Sequence, residues 1–495
     1  MPYYTALTTA TVIIAVLAFA VYRRSRDLGT LVGTAALYYW SLYGAWYVVL
    51  DKRGGFSGKS YHYLERKMFP VALDNHYLVT ICLYAGFIIC FQVTMLLLLP
   101  AAKELPLVRL RLRHEPILMI SGAAALASIF LMRDQLSNAV TLNASAYIYT
   151  RAQTSSWFAI HQLLNRVAML PSAIGLAALL TGNQSRYFVN VPGRHLKVLY
   201  IAVLGMACGF SFTLGNKNEV FAALLTGLLT YAGSLRRPNW VRIGLVLLAG
   251  MWFLQAIDFF RGYPLAELPT AVAEHIGDAT GVGRFVTSSN EAYAAHFSMY
   301  GVLTYDVEPR FGYSVYSLLC SVVPRILWPD RPADIYLYYS ESVGTIQNQG
   351  YSLHHATGWY LNFGYLGVAL GAIMLAIVWA WCLNARRKIR PKSGVAFRIL
   401  AVTMPALVPA CIPALVRAGP EAYKGLVIDS VLIPLTVLLF AVWMGGKAKR
   451  ALRVRSPGLV WTGMAPTPAP VASRVSPLRV PHGVFPARRM VPGEG

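Results

Sequence analysis

Apolar blocks of about twenty residues, the length an α-helix needs to cross about 30 Å of hydrocarbon, recur along this chain, with residues 5–22, 77–100, 198–214 and 358–383 as examples. There are about eleven of them, and no soluble core needs so many helices that are apolar all round. A β-barrel would show segments of about ten alternating residues instead. With 56% hydrophobic and 13% charged residues, the composition also excludes an ordinary soluble domain. The expected fold class is all-α, a polytopic helical membrane protein.

Spans are expected at about 5–22, 28–50, 77–100, 115–132, 157–182, 198–214, 220–235, 243–258, 358–383, 395–416 and 425–444. With the N-terminus on the trans side, the inside segments are 23–27, 101–114, 183–197, 236–242, 384–394 and the tail from 445. These hold the long basic runs, among them Arg23-Arg24-Ser25-Arg26 and Arg386-Arg387-Lys388, as the positive-inside rule requires. The net charge of +23 is therefore read as a cytoplasmic face rather than a nucleic-acid surface. The first block lacks a basic start and is followed by Arg23, Arg24 and Arg26, so no cleavable signal peptide is expected. The six cysteines show no CxxC or metal-ligand spacing and read as small apolar residues, so neither metal nor cofactor is expected.

This order divides the chain into a bundle of about eight spans at 1–258, a large trans-side insert at 259–357, about three further spans at 358–444 and a basic cytoplasmic tail at 445–495. From about 456 the tail is rich in proline and small residues without periodicity and reads as disordered. The insert is unusual. It carries nine of the twenty-one acidic residues, five arginines and four histidines, so acid/base and anion-binding groups concentrate there. Its stretches 284–305 and 311–328 mix aromatic and polar residues at partly helical spacing, which suits helices lying along the membrane surface.

The strongest local signal is Pro324-Arg325-Ile326-Leu327-Trp328-Pro329-Asp330-Arg331-Pro332. After a polar stretch, Thr357-Gly358-Trp359-Tyr360-Leu361-Asn362-Phe363-Gly364-Tyr365-Leu366-Gly367 opens a hydrophobic span. These runs resemble those of bacterial O-antigen (Wzy-type) polymerases, over about 310–370, and the whole chain is similar to that family in topology. Two positions depart from the family pattern: Asp330-Arg331 stands where a lysine before proline is common, and Thr357-Gly358-Trp359 where a glutamate often stands. The resemblance implies a metal-independent glycosyltransferase of the bacterial inner membrane, with its insert in the periplasm. It would move a growing glycan from one polyprenyl pyrophosphate to the next lipid-linked repeat unit. Donor and acceptor are then lipid-linked oligosaccharides, with membrane lipid, a chain-length regulator and a flippase as further partners and no nucleic acid.

Such chemistry needs three kinds of group. A lipid pyrophosphate leaving group calls for forked cationic donors, for which Arg325 and Arg331 come first, stiffened by the prolines around them; Arg284 is a further candidate. An attacking sugar hydroxyl needs a carboxylate or imidazole as base: His354, His355, Glu291 or Asp306. Glycan binding needs stacking surfaces and hydrogen bonds, which Tyr336, Tyr339, Tyr351 and Asn362 could supply. Within the bilayer, His161, Gln162, Asn165 and Arg166 form one polar helix face, so Arg166 either lines a cavity for pyrophosphate or glycan or holds helices together. Asn216 and Glu219 have the spacing of a capping box, beside Lys217 as a phosphate contact. Pro405, Pro409 and Pro413 recur every four residues, which predicts a broken or bent helix ending at Arg417, a third phosphate contact or a helix-end anchor. Two other functions remain open: an O-antigen ligase delivering glycan to lipid A core, and a transporter of lipid-linked sugars or polysaccharide.

Overall fold

A computed structural model describes residues 2–51, 70–100, 110–143, 147–155, 157–189, 191, 193–236, 238–260, 262–280, 291–323, 327–345, 352–390 and 392–454. The principal helices are α1 (Pro2–Ser25), α2 (Leu28–Tyr38), α3 (Asn75–Leu98), α4 (His114–Leu131), α5 (Phe158–Thr181), α6 (Arg194–Thr213), α7 (Lys217–Ser234), α8 (Trp240–Phe260), α9 (Glu291–Thr304), α10 (Tyr313–Ser321), α11 (Ile335–Val343), α12 (His355–Arg387), α13 (Val395–Val416) and α14 (Ile433–Val454). π-helical segments follow α2 at Tyr39–Tyr43 and precede α14 at Gly425–Leu432. Among the described residues there are no strands, only two isolated bridges. Among the described residues, eight segments are long and apolar enough to cross a membrane: α1, α3, α4, α5, α6, α12, α13 and Ala422–Met444. The protein is thus a helical membrane protein. The expected spans at 28–50, 220–235 and 243–258 are helical too but are not among these eight.

Met1–Lys447 forms one compact unit and Ala448–Gly495 a second. Of the second, only the helical residues to Val454 are described, so the expected disordered tail lies outside the described residues. In the first unit α13 is the central helix, with 83% of its apolar window buried, whereas α1 is peripheral at 22%. α13 packs on α2, α7 and α12. It carries Pro405, Pro409 and Pro413 yet runs as one helix to Val416, so the expected break does not occur.

One end of the bundle gathers the basic segments. Arg24 Nε bonds the Leu99 carbonyl, Arg387 donates to the carbonyls of Pro100 (2.7 Å) and Arg24 (3.0 Å), and Arg386 pairs with Asp27 at 2.9 Å. Residues 184–189 bridge to Leu110 and to 234–236 at the same level of their helices. The other ends of these helices carry Asp74, the turn at 213–219, the turn at 417–424 and the insert.

The insert divides into two kinds of helix. Residues 292–300 of α9 are buried, so this stretch does not lie along a membrane surface as expected but packs against the first π segment. Gly44 permits that approach: a Cβ there would meet Tyr293 at 3.1 Å and His296 at 3.3 Å. By contrast, Phe311, Tyr316, Leu319, Val322 and Leu327 remain exposed, as an interfacial segment requires. Asn362 fixes its level by clamping the start of α10: its Oδ1 accepts from the Ser314 N–H (2.8 Å) and its Nδ2 donates to Ser314 Oγ (2.7 Å). Immediately after Asn362 the helix breaks, with Phe363 non-helical and Gly364 at φ 60°, ψ −144°, a conformation almost confined to glycine. The Asn-Phe-Gly run therefore ends one helical piece and starts the spanning piece of α12.

Candidate functional site

At the end opposite the basic segments, two polar clusters lie side by side, the first buried and the second partly so. The first contains the insert histidines. His354 caps α12: its Nδ1 accepts the Ala356 N–H at 3.1 Å, so its Nε2 carries the proton and donates to Ser41 Oγ at 2.9 Å. His355 donates from Nδ1 to the Ala418 carbonyl (3.1 Å) and accepts the Trp359 indole N–H at Nε2 (3.0 Å). His296 donates to the Ser41 carbonyl (2.6 Å) and accepts from the Tyr77 hydroxyl (2.9 Å). Around them, Ser298, Thr357 and Tyr84 link their hydroxyls at 2.9 and 3.1 Å. All three imidazoles are fully buried. Burial holds His296 down to about 4, and burial together with the neighbouring His355 and His296 holds His354 well below the usual histidine range. As folded, His354 and His355 have both ring nitrogens engaged, and each is shaped as a joint between α12 and its surroundings.

The second cluster is built on α5, α7 and the second π segment. Arg166 Nη1 pairs with Asp429 at 2.8 Å, and its Nε faces Glu219 Oε1 at 3.7 Å. Asn165 donates to Glu219 Oε2 at 2.9 Å and to Ser211 Oγ. Asn216 makes no side-chain cap bond, so the expected capping box does not form, because Glu219 turns inward to Asn165 and Arg166 instead. A cavity of about 200 Å³ adjoins this cluster, lined by Arg166, Asn218, Glu219, Cys411, Leu415 and Ser430 among others. Asn218 joins it to the turn after α13: Arg417 Nη1 donates to Asn218 Oδ1 at 3.1 Å and Arg417 Nε to Ser352 Oγ at 2.9 Å. The guanidinium lies 5.1 Å from the centre of the Trp40 ring, in the first π segment. Arg166, Lys217 as the first residue of α7, and Arg417 are thus brought to one neighbourhood from three helices, with insert residue Ser352 at its rim.

Other candidates lie apart from this cavity. Arg331 donates from Nη1 to the carbonyls of Ser321 (2.8 Å) and Val323 (2.9 Å), closing the end of α10. Asp306 is exposed at φ 48° and turns the chain after α9, where the Val307 N–H bonds the Val302 carbonyl. Tyr339 is buried, and burial with neighbouring Tyr84 and Tyr336 pushes its hydroxyl well up. Tyr336 is half-buried, with its ring 6.3 Å from that of Tyr339. Asn362 spends its remaining donor on the Gly358 carbonyl. Arg284, Arg325 and Tyr351 lie outside the described residues; Glu291 opens α9, but its side chain is outside them too.

Sequence reasoning passed over Asp429, Asn218, Trp40 and Glu421. An acidic residue in the apolar run 425–444 was the available signal for Asp429, by the rule that picks out Arg166. Glu421 accepts the Ile335 N–H at 3.0 Å, and burial pushes its carboxyl up to about 7 against the lowering effect of nearby hydrogen bonds. Compared with family models, with curated proteins and with solved structures, the chain matches none.

Proposed function

We propose that this protein is a membrane glycosyltransferase that polymerises polyprenyl-pyrophosphate-linked oligosaccharide into a surface polysaccharide. The observation that carries the reading is the convergence of Arg166, Lys217–Glu219 and Arg417 with the insert, at the end of the bundle opposite the basic segments. With the basic end cytoplasmic, as the positive-inside rule directs, the site opens to the periplasmic side of the bacterial inner membrane. Both termini follow: the N-terminus is periplasmic and the C-terminus cytoplasmic.

In this reading Arg417 and Lys217 meet the donor pyrophosphate at the membrane surface. A guanidinium there stabilises the charge that builds on the leaving phosphate oxygen as its bond to the anomeric carbon breaks. Arg166 has a different place, because Asp429 and Glu219 already oppose its charge, and a pyrophosphate beside them would meet two like charges. Within the insert, Arg310, lying 3.8 Å over the Tyr338 ring, offers a planar surface for glycan to stack on.

The test is the full-length protein in liposomes with lipid-linked repeat units and no added nucleotide sugar or metal. Longer lipid-linked glycans and released polyprenyl pyrophosphate are expected; oligosaccharide that stays at one unit overturns the proposal. In cells, deletion should leave single repeat units attached to lipid A core, whereas accumulation of long lipid-linked chains would point to a ligase.

A further inference from the structure

The cavity beside Arg166 carries an inference that rests on the glycosyl-transfer reading and deepens it. We propose that it is an acceptor subsite for one sugar ring, in which Glu219 takes the proton of the attacking hydroxyl.

Size and lining agree with a pyranose. An apolar cavity of about 150 Å³ already admits benzene, and this one is about 200 Å³. Arg166, Asn218, Glu219 and Ser430 give it a polar edge, while Leu170 and Leu415 give it an apolar wall. A sugar ring has the same division, with hydroxyls at its rim and C–H groups on its faces.

The hydrogen-bond inventory selects the kind of ligand. Glu219 is 7% exposed, and one carboxylate oxygen is held by Asn165. The other, Oε1, completes no hydrogen bond among the described residues: Arg166 Nε at 3.7 Å is too far to serve, and the Asn216 side chain, which also faces the carboxylate, falls short of bonding geometry. A carboxylate oxygen is an acceptor, so the ligand that completes the site brings a donor: a hydroxyl, not a phosphate oxygen. Asp429 holds Arg166, and Arg166 places a positive charge beside the carboxylate, which fixes the orientation of both.

The step balances within the two substrates and this side chain. The acceptor hydroxyl gives its proton to Glu219 Oε1, and its oxygen lone pair forms the new bond to the donor anomeric carbon. The bond from that carbon to the pyrophosphate oxygen breaks, and the electron pair leaves with the phosphate. Glu219 then returns its proton to the released pyrophosphate or to water. Glu219 is thereby the catalytic base; Asn165, Arg166 and Asp429 are positioning residues.

The experiment compares wild type with Glu219→Gln in liposomes, reading chain extension, thermal stability and binding of polyprenyl pyrophosphate. Extension should fall at least about 100-fold, the range of a lost general base, with stability and pyrophosphate binding kept. Wild-type extension by Glu219→Gln overturns the subsite and leaves the transferase reading standing. No extension by the wild type overturns both. Should Glu219→Gln misfold, Ala222→Leu narrows the cavity from the same helix. That variant should raise the acceptor KM about tenfold without changing pyrophosphate binding, and an unchanged acceptor KM overturns the subsite.

Discussion

The histidine cluster at His296, His354 and His355 and the Arg166 cluster lie at one end of the bundle, but they differ in how far their hydrogen bonds are closed. Both ring nitrogens of each of the three histidines are engaged, and the surrounding hydroxyls are linked to one another. Beside Arg166, Glu219 lines a cavity and its Oε1 stays open, as does Asn165 Oδ1. A closed buried network fixes one arrangement of helices, whereas an open one retains binding capacity at a cost in stability. Two polar clusters at the same end of one bundle can therefore differ in the hydrogen-bonding capacity they leave for a ligand.

The comparison can be broken at either cluster. The largest effect is expected for Arg417→Ala, which removes the contacts to Asn218, Ser352 and Trp40. Chain extension in liposomes should fall about 100- to 1000-fold, as for other lost transition-state donors, with the thermal midpoint little changed. His296→Ala should do the opposite. It removes the buried hydrogen bonds that the imidazole makes with the Tyr77 hydroxyl and the Ser41 carbonyl, at about 1–3 kcal/mol, so thermal unfolding should shift down while surviving protein keeps its turnover. Lost turnover at unchanged stability would remove the distinction.

The smallest effect concerns Glu421, outside both clusters. Its folded value of about 7 lies above the unfolded carboxyl value of about 4.3. The folded chain therefore holds this proton more tightly, and stability should decline as pH rises from about 4.3 to about 7, then level off. Glu421→Gln should remove that component of the Tm profile, and an unchanged slope would assign it elsewhere.

Much of the fold was legible because lipid imposes a simple length and polarity rule: each expected span coincides with helix. Arg166 was legible for the same reason, as a cation where the rule makes it costly, whereas Lys217 and Arg417 were legible from their places at helix ends. The roles of His354 and His355 were not legible. Their saturation depends on Ser41, Ala418 and Trp359, and the first two are distant in sequence. α9 misled because its aromatic and polar mixture suits an interface, while tertiary packing on Gly44 buries it. The Asn-Phe-Gly run read as the opening of a span, as it is for the piece after Gly364, and only the backbone there shows the separate helical piece that precedes it.

The two π segments have a further consequence. A π turn is an α-helix holding one surplus residue, so it acts as a rotational offset between the chain before it and the chain after it. At Tyr39–Tyr43 that offset sets the azimuth of Trp40 beneath Arg417, and at Gly425–Leu432 that of Asp429 toward Arg166. Deleting one residue from either segment would turn the flanking helices by about 100° relative to each other, withdrawing a cavity partner without changing any side chain's identity. In a protein built this way, phase along a helix is a determinant of the site as much as composition is.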